Sequence, residues 1–286
     1  MNPSRRDVLA AALLAAACGA GGARAGAPQR IAVLDWALAE LVLALGVRPV
    51  AVAETALYAG RVGEPALPPG TIDLGLRSQP SLERLASIRP DLILALSGYG
   101  PAEGRLRRIA PTLALEIYGT TRRPLDRSQE ALRTIAAATG REAAGRDVIE
   151  RFDAAMETQR RRLEAWERRP ILVLNFVDER HADVYGRGSL FDAVFTRLGL
   201  DNAFSGATNP WGFSTIGLGE IAARSGARLL MVSPGLPDGL AGSALWRSLP
   251  SVRAGRVSVL PPVWQFGALT AAERFATVLA DSLAPS

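Results

Sequence analysis

The residue types that carry most enzymatic and metal chemistry are scarce in this chain. Its 286 residues include one histidine, His181, and one cysteine, Cys18. His181 stands beside Glu179, Arg180 and Asp183. That set is too small to supply the several imidazole, thiolate or carboxylate ligands that a protein-held metal requires. His181 therefore reads as a surface or turn residue. It has no motif partner as a general base, and no Gly-x-Ser-x-Gly nucleophile elbow is present. The segment Gly98-Tyr99-Gly100-Pro101-Ala102-Glu103-Gly104 follows an apolar run and superficially looks like a dinucleotide loop. Its third glycine comes one residue late, and Pro101 removes an amide where phosphate would sit. The run Arg160-Arg161-Arg162 falls on a helical segment and reads as a solvated face rather than a phosphate site. The expectation is a binding protein: no enzyme, no resident metal and no nucleic-acid partner.

These residues need a scaffold, and the composition provides for one. Nearly half of the chain is apolar, enough for a sizeable core in two ordinary domains. All basic residues are arginine. The N-terminus carries Ser4-Arg5-Arg6-Asp7, then the apolar stretch Val8 to Ala17 and a small-x-small site, Ala23-Arg24-Ala25. That pattern predicts a twin-arginine signal peptide over residues 1–25, too short for a membrane span. Its removal takes away Arg5, Arg6, Arg24 and Asp7 and lowers the formal charge from +5 to +3. The mature chain would then lack a thiol altogether. The alternative is a lipoprotein cleaved before Cys18, although the leucine expected three residues ahead of that cysteine is missing. Either route places the protein outside the cytoplasm, in the periplasm.

Alternating strands and helices predict the fold class. Strands are expected at 30–35, 50–53, 91–96, 171–175 and 228–233. Helices are expected at 37–45, closed by Gly46, at 82–88, opened by Ser81, from Ser189 to Gly199, and over 218–225. Such alternation implies α/β architecture with parallel sheets. Local similarities between the halves suggest two similar parallel or mixed-sheet lobes, an N-terminal one over 28–140 and a C-terminal one over 170–286. Residues 141–168 lack proline, and Val148, Phe152, Ala155, Met156, Gln159, Leu163 and Trp166 recur at helical steps. They predict one long connecting helix of roughly 40 Å. A continuous helix resists bending, so small lobe motions are expected.

Several stretches carry a family resemblance. They are Leu34-Asp35-Trp36; Ile72-Asp73-Leu74-Gly75-Leu76-Arg77; Ser97-Gly98-Tyr99-Gly100-Pro101; Thr208-Asn209-Pro210-Trp211-Gly212; and Val263-Trp264-Gln265-Phe266-Gly267. On these the chain resembles the periplasmic ferric hydroxamate, or ferrichrome-type, siderophore-binding proteins. These are FhuD-like members of the solute-binding class of ABC importers whose two lobes are joined by a single helix. The resemblance implies capture of a ferric hydroxamate siderophore in the inter-lobe cleft and delivery, by a monomer, to an inner-membrane ABC permease. The siderophore itself would hold the iron. It also implies that Arg77 and Tyr99 donate to the iron-bound hydroxamate oxygens. A guanidinium fork and a phenol suit such oxygens. Trp211, Trp264 and Phe266 would form an aromatic wall, and Leu190 and Asn209 would reach the cleft. Trp36, Trp166 and Trp246 are expected to serve packing.

The chain also departs from that pattern. Arg61 replaces an aromatic contact, Phe266 lacks a tyrosine hydroxyl, and Phe213 stands where a small hydroxyl residue is expected. Arg61 is thus expected at the ligand, and ligand choice is open to another iron chelate (citrate or catecholate), haem or a corrinoid. An exported hydrolase on the same scaffold is a remote alternative. Glu103 and Glu220, one on each lobe, are expected to dock on the permease.

Overall fold

The computed structural model describes residues 27–232 and 235–283. The leader, with Arg5, Arg6 and Cys18, lies outside the described residues. The N-terminal lobe begins with β1 (Ile31–Val33), α1 (Trp36–Ala44), β2 (Ala51–Val52), α2 (Thr55–Arg61) and β3 (Ile72–Asp73). It continues through α3 (Leu82–Ile88), β4 (Leu92–Leu96), α4 (Glu103–Leu106) and β5 (Thr112–Leu115). The strands lie in the order β3-β2-β1-β4-β5, every pair parallel. Strand β4, Leu-Ile-Leu-Ala-Leu, is buried along its whole length, as a parallel strand covered on both faces must be.

Two helices follow, α5 (Pro124–Thr139) and α6 (Glu142–Arg162). The second lobe contains β6 (Ile171–Phe176), β7 (His181–Tyr185), α7 (Leu190–Leu198), β8 (Phe213–Gly217), α8 (Leu218–Ala223) and β9 (Arg228–Met231). It ends with α9 (Asp238–Ala241), α10 (Ala244–Ser248), α11 (Pro250–Arg253), β10 (Val257–Val259) and α12 (Leu269–Leu283). Its sheet order is β10-β9-β6-β7-β8. The first three strands run parallel, while β7 and β8 pair antiparallel. The second sheet is therefore mixed.

Local chemistry explains the helix boundaries. Ser81 and Ser189 accept hydrogen bonds from the amides of Arg84 and Asp192 and so start α3 and α7. Gly199 closes α7 in the left-handed conformation. The expected connecting helix is shorter than 141–168. Helix α6 stops at Arg162, 21 residues or about 32 Å long. Beyond it, the amides of Glu164 and Trp166 reach back only three residues, to Arg161 and Leu163. These tighter turns keep Leu163 and Trp166 on the buried face, so the periodicity continues past the helix end. Arg160 and Arg161 pair with Glu157, and Arg162 with Asp281, on the solvated side.

The lobes share a core. Helices α1, α5, α6, α7 and α12 pack on one another between the two sheets. Trp36, Phe152, Phe191, Phe195 and Phe275 belong to the same buried cluster. The outer faces of the two sheets carry separate clusters, around Leu34, Leu85 and Ile93 in one lobe and Leu172, Ile216 and Trp246 in the other. Helix α12, C-terminal in sequence, packs against α1 and α5 of the first lobe. The lobes are thus joined by a packed helical layer in addition to the covalent link through α6.

Candidate ligand-binding site

In the first sheet, β1 leads outward to β2 and β3 on one side, and β4 and β5 lie on the other. Open α/β sheets bind ligands where the order reverses, beyond the carboxyl ends of the strands. Four residues gather at that edge. Asp35 follows β1, Glu54 follows β2, Arg77 follows β3 and Tyr99 follows β4.

Arg77 is the best-anchored of them. Its Nε donates to Oε2 of Glu54 at 2.8 Å, and Nη1 lies 3.5 Å from Oδ2 of Asp35. The guanidinium carbon sits 3.9 Å from the ring centre of Trp36 and 4.7 Å from that of Trp264. Two carboxylates and two indole faces thus fix its plane. Its side chain remains 15% exposed, and Nη2 donates to no acceptor among the described residues. Asp35 is itself buried and caps α1 by accepting from the Ala37 amide at 2.8 Å. Burial raises its carboxyl above the usual range, and the Arg77 charge opposes that rise. Glu54 holds a left-handed backbone, φ 57°, that costs a non-glycine residue of order 1–3 kcal/mol.

Tyr99 is half-buried, and its hydroxyl has no partner among the described residues. Gly100, at φ +78°, lets the chain pass close to the Arg77 carbonyl: a Cβ there would lie 3.1 Å from that oxygen. Glycine thereby draws the Tyr99 turn onto the Arg77 turn.

The second lobe supplies an aromatic wall. Trp211 meets Tyr99 edge-on at 5.7 Å and stacks on Tyr118 at 5.6 Å. Phe266 touches Trp211 and Trp264, each at 5.4 Å, and Phe213 at 5.8 Å. Asp35, Arg77, Tyr99, Trp211, Phe213, Trp264 and Phe266 line one pocket of about 220 Å³ between the lobes. Its lining is mostly aromatic, and Arg77 and Tyr99 bring polar hydrogen-bond donors to it from the first lobe.

The wall is tied back to the first lobe. Tyr118 Oη donates to the Gly267 carbonyl at 2.7 Å. Oε2 of Glu40 accepts from the amides of Ala268 and Ala271 at 3.3 and 3.2 Å. Arg122 donates to the carbonyls of Arg187 and Thr208, at 3.0 and 2.9 Å, and to the Thr208 hydroxyl. Gly212, at φ +83°, packs against the backbone of Gly188 and Ser189 with no room for a Cβ.

The structure therefore brings together Arg77, Tyr99, Trp211, Trp264 and Phe266. It does not bring the other expected ligand contacts to this pocket. Leu190, the first residue of α7, is fully buried in the shared core, because an apolar residue in that first turn packs inward. Asn209 spends its side-chain oxygen on the amides of Trp211 and Phe213, shaping the turn. Arg61, in the last turn of α2, is not among the residues that line the pocket, although its charge reaches Tyr185 behind Phe213. Trp36, assigned to packing, does pack, with its Nε1 bonded to the Ala53 carbonyl at 2.9 Å, but it also carries Arg77. Asp35, Glu54 and Tyr118 were missed as site residues. The signal for the first two was their place at the carboxyl ends of parallel strands. Glu103 and Glu220 are exposed in the first turns of α4 and α8, Glu103 paired with Arg107 and Glu220 accepting from the Gly217 amide. His181 is exposed and bonds Asp178. No group of histidine, cysteine, aspartate and glutamate among the described residues could hold a metal ion.

A second hollow of about 310 Å³ is lined by Arg122, Arg123, Arg187 and Arg197 with Asp126 and Asp192. Three of its four arginines are already engaged: Arg122 with carbonyls, Arg123 with Asp126 and Arg197 with Asp153. The aromatic pocket is the candidate ligand site.

Comparison with known proteins agrees with this architecture. The periplasmic binding protein family matches residues 31–263. The chain is 34% identical over 259 residues to the iron(3+)-hydroxamate-binding protein FhuD of Escherichia coli, covering 90% of this chain and 87% of that one. It is 26% identical over 243 residues to the Fe(3+)-citrate-binding protein YfmC of Bacillus subtilis, covering 81% and 73%. The crystal structure of the siderophore-binding protein FhuD of Vibrio cholerae, bound to Fe3+-Desferal, superposes with a TM-score of 0.85 at 29% identity. That match covers 90% of this chain and 99% of that one. These relatives are binding proteins rather than enzymes. With its two α/β lobes, helical link and cleft between them, the chain belongs to the periplasmic binding protein family.

Proposed function

We propose that the chain captures an iron(III)-hydroxamate siderophore in the inter-lobe pocket, outside the cytoplasm, and delivers it to an ABC importer of the inner membrane. One observation carries the ligand class: the single pocket cation, Arg77, is already balanced by Asp35 and Glu54. Three hydroxamates neutralise ferric iron and give an uncharged chelate. Catecholates and citrate leave a strongly anionic one. A pocket without surplus positive charge favours the first over the second, since an anion would lose its hydration for no net countercharge. Arg77 Nη2 and the Tyr99 hydroxyl, neither with a partner among the described residues, are the proposed donors to the hydroxamate oxygens. The indole and phenyl faces cover the apolar linkers. The pocket is small, so it grips the iron-bearing head and leaves the rest of the chelator outside. Similarity to the Escherichia coli hydroxamate-binding protein supports the same reading.

The twin-arginine leader belongs to this proposal as the export route, as does action as a monomer. Glu103 and Glu220, one on each lobe and both exposed, are the carboxylates proposed to meet the permease. The test is tryptophan fluorescence of the mature protein titrated with ferrichrome, ferrioxamine, a ferric catecholate and ferric citrate. Saturable quenching by hydroxamates at concentrations where the anionic chelates are silent supports the reading. Quenching by an anionic chelate alone overturns it.

A further inference from the structure

Glu40 lies in the middle of α1, wholly buried, with no cation beside it among the described residues. Its Oε2 accepts from the backbone amides of Ala268 and Ala271, at the start of α12, while Oε1 has no partner among the described residues. Helix α12 belongs to the other lobe in sequence order. The segment immediately before it carries Trp264 and Phe266. Gly267, between wall and helix, packs so closely that a Cβ would collide with Ala271 and lie 3.1 Å from the Glu40 carboxyl. The Gly267 carbonyl is held in turn by Tyr118 of the first lobe. Two side chains of one lobe therefore hold backbone groups of the five-residue stretch 267–271 in the other. That stretch directly follows the pocket wall.

A buried acid with half of its hydrogen-bonding capacity unused is costly to keep. An apolar residue of similar size would fill the same space more cheaply. The geometry points to a reason for the acid: Glu40 is a positioning residue of the ligand pocket, fixing from the first lobe the segment that carries Trp264 and Phe266 in the second. It rests on the proposed siderophore site for its consequence, but not for its structural content. Acting through Trp264, it also supports the indole face on which Arg77 rests at 4.7 Å.

Two substitutions separate this role from mere filling of the core. Glu40→Gln keeps an acceptor for the two amides, whereas Glu40→Leu keeps the volume and removes the acceptor. Each variant is measured ligand-free by near-ultraviolet circular dichroism, where the close Trp36–Trp264 pair, 4.7 Å apart at 66°, gives a signal sensitive to geometry. Each is then titrated with ferrichrome. The expected result is a changed aromatic spectrum and about tenfold weaker binding in Glu40→Leu, with Glu40→Gln within about threefold of the parent. A Glu40→Leu protein with parental spectrum and parental affinity overturns the proposal. If Glu40→Leu does not fold, Tyr118→Phe decides. Removing that hydroxyl releases the Gly267 carbonyl, and an unchanged spectrum and affinity there overturn the anchoring role. If the parent itself binds no chelate, the ligand assignment fails while the ligand-free spectra still test the anchor.

Discussion

At the scale of single residues, the pocket is organised by how its one cation is held. Arg77 gives Nε to Glu54 and Nη1 to Asp35, and its Nη2 has no partner among the described residues. Lysine at this position would keep the charge but lose the fork that serves both carboxylates and ligand. Arg77→Lys is expected to weaken ferric hydroxamate binding by about tenfold or more while the melting temperature changes little, as isothermal titration and thermal unfolding would show. Glu54→Gln tests the charge argument instead. It leaves an acceptor for Arg77 but removes one of two countercharges. Binding of ferric citrate is then expected to strengthen relative to ferrichrome, and an unchanged ratio of dissociation constants would contradict the charge account. Arg77 and Tyr99 were legible because each sits in a short, distinctive run. Asp35 and Glu54 were not, since an acid after a strand reads equally well as a helix cap, and Asp35 is in fact also a cap. Leu190 and Asn209 do not line the pocket: Leu190 is spent on the core and Asn209, beside Trp211, on its own turn.

At the scale of elements, the legible ones announced their own ends. Helices α3 and α7 have serine caps, and α7 closes on Gly199, so sequence bounds and structure coincide. Strands β3 and β10 are short edge strands, and the β7–β8 pair carries polar residues such as Asp183 and Thr215, so periodicity alone did not reveal them. The overlong reading of α6 arose because three-residue turns preserve the buried face that Leu163 and Trp166 continue. The loop before β8 is where element and site meet. Trp211 stands between Asn209, which bonds its amide, and Gly212, which lies flat on the backbone at the start of α7. Gly212→Ala must push that loop away and also strain a positive φ. The expectation is a lower melting temperature together with a faster ferrichrome off-rate, measured by stopped-flow fluorescence. Arg122→Gln, which removes the clamp on Thr208, is expected to raise the off-rate with a smaller loss of stability.

At the scale of the whole molecule, the two lobes are less independent than a two-domain reading of the sequence implies. Their helices share one core, and Glu40, Tyr118 and Arg122 cross the seam. A shared helical core resists relative movement of the lobes, so binding is expected to leave the small-angle scattering radius essentially unchanged. Glu40 makes this architecture sensitive to pH. Burial raises its carboxyl from about 4.5 to about 8, partly opposed by the two amides and helped by the nearby Asp35 charge. Tyr58 and Tyr118 face it as neutral phenols, both held high by burial. On α12, Arg274 donates instead to the Pro262 carbonyl. Between the unfolded and folded values the folded protein keeps a proton that the unfolded chain has released. Stability from this group is therefore full below about pH 4.5 and is lost as pH rises through about 8. Asp35, also raised by burial, contributes a slope of the same sign. The melting temperature of the parent is thus expected to fall as pH rises from 5 to about 8. Glu40→Gln carries no titrating proton there and should retain only the Asp35 part of that slope. Parallel melting curves for the two proteins across this range would mean that Glu40 ionises as an ordinary carboxylate and that its burial is offset by groups beyond those named.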